Sequence, residues 1–346
     1  MRYFCGISGG IALTLIILEI FFRFLPVNSG IRKENTDANQ PYSRYVPGQQ
    51  FVYSHGWAME NPTHGTTNRE GFINSHDFDA KNGLLLIGDS FIEAIMLNYQ
   101  DTVQGQLDLS LHGNVYAAAS AKNRLPDTLE LARQFNQIIM PRTIVIFVKT
   151  NELENFQIPE KNGFSGFHVI GNQISLVHLP YQESSSKQLF LNSALLRYVY
   201  YNLKFSKWLH DSMRFHSTSQ HLLTVSKSEK SAILNYYFSE LSKTLTKTHV
   251  IFLMDGDRDA IYHNSIDAKK REEHEDGVLF TEMAKNHGFD VVDMQPIFER
   301  HWNTYHERMD FLPIDGHWNP VAHRLAAEAI LTQLNNQSSS NPIRKD

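Results

Sequence analysis

The sequence predicts an α/β fold built on a parallel sheet, and three observations carry that prediction. The first is Leu84-Leu85-Leu86-Ile87, four aliphatic residues closed by Gly88. The run is too short for a helix and reads as a strand buried on both faces. The second is alternation. Strand-like runs at Val115–Ala119, Thr143–Val148, Val250–Met254 and Val291–Asp293 are separated by stretches of helical period, the signature of right-handed βαβ units. The third is Gly88-Asp89-Ser90 at the carboxyl end of the first of these strands, the edge at which open parallel sheets bind their ligands.

Taken in order, the chain opens on an apolar stretch with no charge from Tyr3 to Leu18, which continues past Glu19 and Arg23 to Leu25 before Pro26 stops it. At about 1.5 Å per residue it is long enough to cross a hydrocarbon core of about 30 Å. Residues 1–26 therefore read as a transmembrane signal anchor; a cleaved signal peptide is the competing reading, but no small-x-small cleavage site follows. Glu19 and Arg23 are spaced to pair on a helix. Arg2 precedes the stretch and Arg32 and Lys33 follow it, so the positive-inside count does not orient it. Residues 27–80, rich in Asn, Gly, Ser, Pro and His, read as a tether followed by irregular structure packed on the domain.

Residues 81–335 form the α/β domain. Asp101-Thr102-Val103-Gln104 gives a capping-box-like start to a helix that runs through Leu111. Leu125-Pro126-Asp127 opens another, with Leu129, Ala132, Phe135, Ile138 and Ile139 spaced for one buried face and Pro141 ending it. Residues 153–226 break the rhythm as an insertion, with an amphipathic, aromatic-rich run from Leu189 to Leu209 that reads either as core or as a lid on a substrate site. Glu154 is expected to be solvated. Helical period returns from Lys227 to Thr248, and the charged Asp267–Glu275 reads as a solvated helix face. Asp255-Gly256-Asp257-Arg258 follows a strand; two carboxylates without a supporting His cluster predict a polar wall and no metal. A closing helix runs from Val321 to Leu334, and residues 336–346 read as a disordered polar tail.

Composition narrows function. With 42% hydrophobic and 20% charged residues the 346-residue chain is ordinary globular protein. A net charge of −5 without a long Lys/Arg run argues against nucleic acid as a partner. The one cysteine, Cys5, cannot form an internal disulfide, so cysteine use does not report the compartment. No CxxC, HExxH or Gly-rich phosphate loop occurs, so no cofactor and no metal are expected.

Two stretches carry chemistry. Ser90 at a helix start is either a cap for backbone N–H groups or a nucleophile beside amides that can stabilise an oxyanion. Asp315-Gly316-His317 supplies the partners a serine nucleophile needs: an imidazole to take its proton and a carboxylate to set the tautomer of that imidazole. His323 competes with His317 as base, but one turn into a helix it reads as a packing residue.

With Gly88-Asp89-Ser90 first and Asp315-x-His317 last, the chain resembles the SGNH hydrolase superfamily, the GDSL-type esterases and lipases. The resemblance covers about residues 80–335 and implies a three-layer α/β/α sandwich that hydrolyses acyl esters through an acyl-serine. It also implies an oxyanion hole from the Ser90 N–H, the N–H of Ala121 in the second block and the Asn151 side chain in the third. The chain departs from the family where Lys149 replaces the usual Gly, Glu152 the usual Asp, and Ala121 a Gly. Alanine keeps the N–H donor but tolerates positive φ poorly. Anchored relatives are mostly exported bacterial proteins, which implies a periplasmic domain on the inner membrane. The substrate expected by analogy is an O-acetylated glycan or other small ester. An acyltransferase using the same triad, and a catalytically silent, membrane-tethered glycan-binding or assembly protein, remain open alternatives.

Overall fold

A computed structural model describes residues 2–77, 83–149, 161–171, 173–204, 225–263, 268–313 and 315–340. The central sheet consists of β3 (Leu84–Gly88), β4 (Val115–Ala119), β5 (Thr143–Val148), β8 (His249–Met254) and β9 (Asp290–Asp293), in the order β4-β3-β5-β8-β9 with every neighbour parallel. The two faces of β3 explain its uninterrupted apolar run. Leu85 and Ile87 point to one core, with the helices α4 (Leu125–Ile139), α7 (Lys227–Thr244) and α9 (Ala268–Asn286). Leu84 and Leu86 point to the other, with α2 (Ser90–Glu93), α3 (Val103–Leu111), α10 (Gln295–Tyr305) and α11 (Pro320–Ser340). The result is a three-layer α/β/α sandwich. Neither side of the sheet could take polar residues without leaving them desolvated.

Local signals set the helix ends. Thr102 accepts from the Gly105 N–H at 3.1 Å and so caps α3. In α4, Leu129, Ala132, Phe135 and Ile139 are buried while Ile138 is partly exposed, so the apolar stripe is narrower than its spacing predicts.

Three segments differ from their sequence reading. Residues 27–80 contain an antiparallel hairpin, β1 (Gln50–His55) and β2 (Glu60–Thr66). Val27, Tyr42, Tyr45, Phe51, Phe72 and Ile73 of this stretch are buried, so it is a packed part of the domain. The described part of the insertion holds a second hairpin, β6 (Ser165–Ile170) and β7 (Gln173–His178), and two helices, α5 (Ser185–Asn192) and α6 (Ala194–Arg197). Its aromatic run meets the end of the N-terminal helix; residues 205–209 of that run lie outside the described residues. The closing helix continues to Ser340, past the expected start of the tail, and Gln337 bonds to His249 and Asp290. Helix α8 (Arg258–His263) and the short hairpin of β10 (Asp310–Phe311) with β11 (Asp315–Trp318) complete the domain. The N-terminal helix α1 (Arg2–Arg23) contains an 18-residue window, Gly6–Arg23, of mean hydropathy 1.7, long and apolar enough to cross a membrane.

Candidate active site

The parallel register brings the carboxyl ends of the strands into line. Gly88 of β3 lies opposite Ala119 of β4, and Val148 of β5 opposite Met254 of β8. Asp89, Ser120, Lys149 and Asp255 therefore emerge along one edge. Gly88 is required there because a Cβ would stand 2.5 Å from Ile92 Cγ1 and 3.1 Å from Phe147 Cβ.

Asp89, not Ser90, caps α2: its carboxylate accepts from the Phe91 N–H at 2.9 Å. That leaves the Ser90 hydroxyl for another partner. Its Oγ lies 2.8 Å from His317 Nε2, and His317 Nδ1 lies 2.5 Å from Asp315 Oδ1. The same carboxylate oxygen accepts from the His317 N–H at 3.0 Å, so the two-residue spacing clamps ring and backbone together. Burial raises the Asp315 pKa, but the hydrogen bonds and charge of His317 outweigh it and hold the carboxyl below its ordinary range. An acceptor fixed at Nδ1 leaves Nε2 as the nitrogen that faces the serine.

The imidazole is seated by aromatic packing. The Phe91 ring lies 4.8 Å from that of His317, stacks on Phe147 at 5.4 Å and meets Trp318 edge-on at 5.8 Å. Trp318 Nε1 donates to Asp255 Oδ1 at 2.9 Å, Arg258 pairs with Asp255, and Arg258 Nη2 donates to the Gly316 carbonyl at 3.2 Å. Asp255 and Arg258 thus hold β11 in place. The expected polar wall is an internal brace, and Asp257 caps the following helix through the Ala260 N–H at 2.9 Å. No group of three or more potential metal-ligating side chains occurs among the described residues. His323 is fully buried and its Nδ1 accepts from the Val103 N–H at 3.0 Å; burial and nearby positive charge press its pKa down to about 3. It holds the start of α3 as a neutral ring.

The second block lies beside a buried acid. The left-handed residue in this turn is Lys122, with φ 73°, so Ala121 carries no positive-φ strain. The Ala121 N–H lies near the Glu93 carboxyl and lowers its pKa. Burial raises the Glu93 pKa to about 7 against the Tyr45 hydroxyl, the Lys33 charge and the Ala121 N–H, which lower it. Glu93 is 1% exposed, and its Oε1 has no hydrogen-bond partner. Lys33 reaches the same turn through Ser43 Oγ at 2.5 Å and Ser120 Oγ at 3.4 Å. Asn151, Glu152 and Glu154 lie outside the described residues. The Ser90 N–H, at the first turn of α2, is among the amides that a helix cannot bond internally.

Sequence reasoning missed Tyr53, whose hydroxyl faces Asp315; burial and that carboxylate push its pKa up to about 12. It also missed Glu93 and Lys33. Of these only Glu93 left a trace, as a charge within the otherwise apolar Phe91-Ile92-Glu93-Ala94.

No family model and no curated protein matches the chain. Among solved structures it is similar to an alpha/beta hydrolase enzyme from the metagenome of Lake Arreo, Spain, at 16% identity and a TM-score of 0.42, covering 75% of this chain and 97% of that one. It is similar to a member of the lipolytic protein G-D-S-L family from Veillonella parvula at 13% identity and a TM-score of 0.38, covering 73% and 98%. It is also similar to a catalytic mutant of an acetylxylan esterase from Geobacillus stearothermophilus, at 16% identity and a TM-score of 0.42, covering 74% and 95%.

Proposed function

We propose that this chain is a serine acyl-ester hydrolase of the SGNH type. The observation that carries the reading is the linear chain of contacts from Ser90 Oγ to His317 Nε2 at 2.8 Å and from His317 Nδ1 to Asp315 Oδ1 at 2.5 Å. His317 takes the proton as Ser90 Oγ attacks the ester carbonyl; the oxyanion forms, the alcohol leaves with that proton, and water then releases the acyl group from the serine by the same route. Asp315 stabilises the imidazolium. The Ser90 N–H, the Asn151 side chain and the Ala121 N–H are the proposed oxyanion donors.

The proposed substrates are O-acetylated glycans or other small esters outside the cytoplasm, with residues 1–26 as anchor and residues 81–335 as the catalytic domain. A sugar hydroxyl in place of water as acceptor would make the same machinery an acyltransferase. The test is covalent labelling of the detergent-solubilised full chain by a fluorophosphonate, together with hydrolysis of an activated acetyl ester. Labelling that is lost in both Ser90→Ala and His317→Ala is the expected result. A folded, unmutated chain that neither labels nor turns over the ester would replace this reading with the silent binding protein.

A further inference from the structure

Three segments far apart in sequence meet where α1 ends. The Glu19 carboxylate accepts from Ser193 Oγ at 2.8 Å, from the Ala194 N–H at 3.1 Å and from the Leu195 N–H at 2.9 Å. These donors would be unsatisfied without it. Arg23 pairs with Glu19 at 2.8 Å and donates to the Asn192 carbonyl at 3.1 Å. The Phe22 ring stacks on Tyr198 with centroids 4.2 Å apart, and the Tyr198 hydroxyl donates to the Trp57 carbonyl at 2.9 Å, at the tip of the β1–β2 hairpin. Asn202 closes the junction by donating to Ser54 Oγ at 2.9 Å and to the Gly56 carbonyl at 3.2 Å. The last turns of α1 are thus bonded to the domain, whereas a flexible anchor would leave them unattached.

Around this junction the surface is apolar where it need not be. Phe24 is 83% exposed, Trp57 75% and Leu189 74%, and Leu196, Tyr200 and Leu203 are also exposed. Large apolar side chains gathered on one part of a surface mark a contact face. Trp and Tyr beside basic residues are the composition of a bilayer interface, and Arg23 and Arg197 stand in this patch. A second copy of the chain could cover such a face, but α1 argues for lipid: none of its apolar window is buried by the domain, and it leaves from this same junction. Whatever surrounds α1 therefore adjoins these side chains.

We propose that α1 is retained in the mature protein and that the face formed by Phe24, Trp57, Leu189, Leu196, Tyr200 and Leu203 lies in the headgroup region of the bilayer that α1 enters. The domain is then held in one orientation on the membrane. Tyr53, which faces Asp315, is on the same hairpin as Trp57. Four residues span at most about 13 Å. Resting on the Ser90 reading above, this sets the reaction within reach of esters presented at the membrane surface; the docking itself does not depend on that reading.

The test uses the full chain in phosphatidylcholine vesicles containing phosphatidylglycerol. The intact mass of protein extracted from membranes should include residues 2–26; an N-terminus at Val27 or later overturns the proposal. Tryptophan fluorescence should be quenched by lipids brominated close to the glycerol backbone, and Trp57→Phe should lose about half of that quenching or more. Equal quenching in the two proteins, or cross-linking of Trp57→Cys to a second copy in place of lipid, overturns the docking even if Ser90 labels normally.

Discussion

Lys149 Nζ lies 2.5 Å from Asp89 Oδ2, so the lysine that stands in the usual glycine position of the third block is ion-paired with the acid beside Ser90. Asp89 is nearly buried and also caps α2, while Lys149 is partly exposed and lies 5.3 Å from the Phe91 ring centroid. One cation thereby neutralises the carboxylate next to the serine and covers the ring that seats His317. Lys149→Ala leaves that carboxylate uncompensated. The expected loss is about 1–3 kcal/mol, less than for a fully dry pair because water reaches the lysine. In a urea-unfolding double-mutant cycle, Asp89→Asn should remove most of that loss. Additive effects would show that the pair contributes nothing.

Asp315→Asn keeps the shape of the turn but presents an amide to Nδ1 and no negative charge to the imidazolium. Turnover of an activated ester is expected to fall about 10⁴-fold with little change in thermal stability. A fall of less than tenfold, read from initial rates, would remove Asp315 from the mechanism.

Gly88→Ala tests the packing behind the serine. The added Cβ meets Ile92 and Phe147 at distances that force a shift, and overpacking of this kind costs about 1–3 kcal/mol. Because Ile92 lies on the same short helix as Ser90, fluorophosphonate labelling should slow more than the stability loss explains. Unchanged labelling in a destabilised variant would separate the two.

Glu93 predicts a pH dependence of stability. Its pKa rises from 4.5 to about 7 on folding, chiefly through burial, with Asp89 adding to the rise and Tyr45, Lys33 and the Ala121 N–H opposing it. A raised folded pKa means that the folded state holds the proton longer. Its contribution is complete below pH 4.5 and is lost as pH rises through 7. Glu93→Gln removes this dependence, so the stability of that variant relative to the unmutated chain should climb between pH 4.5 and 7 and level off above. Denaturant midpoints across that range check it; a constant difference would place the Glu93 proton elsewhere.

What the sequence by itself determined is local. Leu84–Ile87 announces a doubly buried strand because every side chain of it must meet apolar neighbours. Asp315-Gly316-His317 announces an acid–imidazole pair because residues two apart on an extended strand share one face. Alternation of strand and helix period was enough for the layers, since a parallel sheet needs both faces covered. The tertiary structure decided everything that depends on partners distant in the chain: Lys149 on Asp89, the Ala121 amide on Glu93, Tyr53 at Asp315, and Glu19 on the turn at Ser193. None of these contacts leaves a periodicity, because each involves a single polar group whose role is set by which partner the fold brings against it. Ala121 is the clearest case. Its place in the motif order predicts an oxyanion donor, and the fold also sets its N–H beside the buried carboxyl of Glu93, one turn beyond the serine. A buried carboxyl draws on the donors that the fold brings to it.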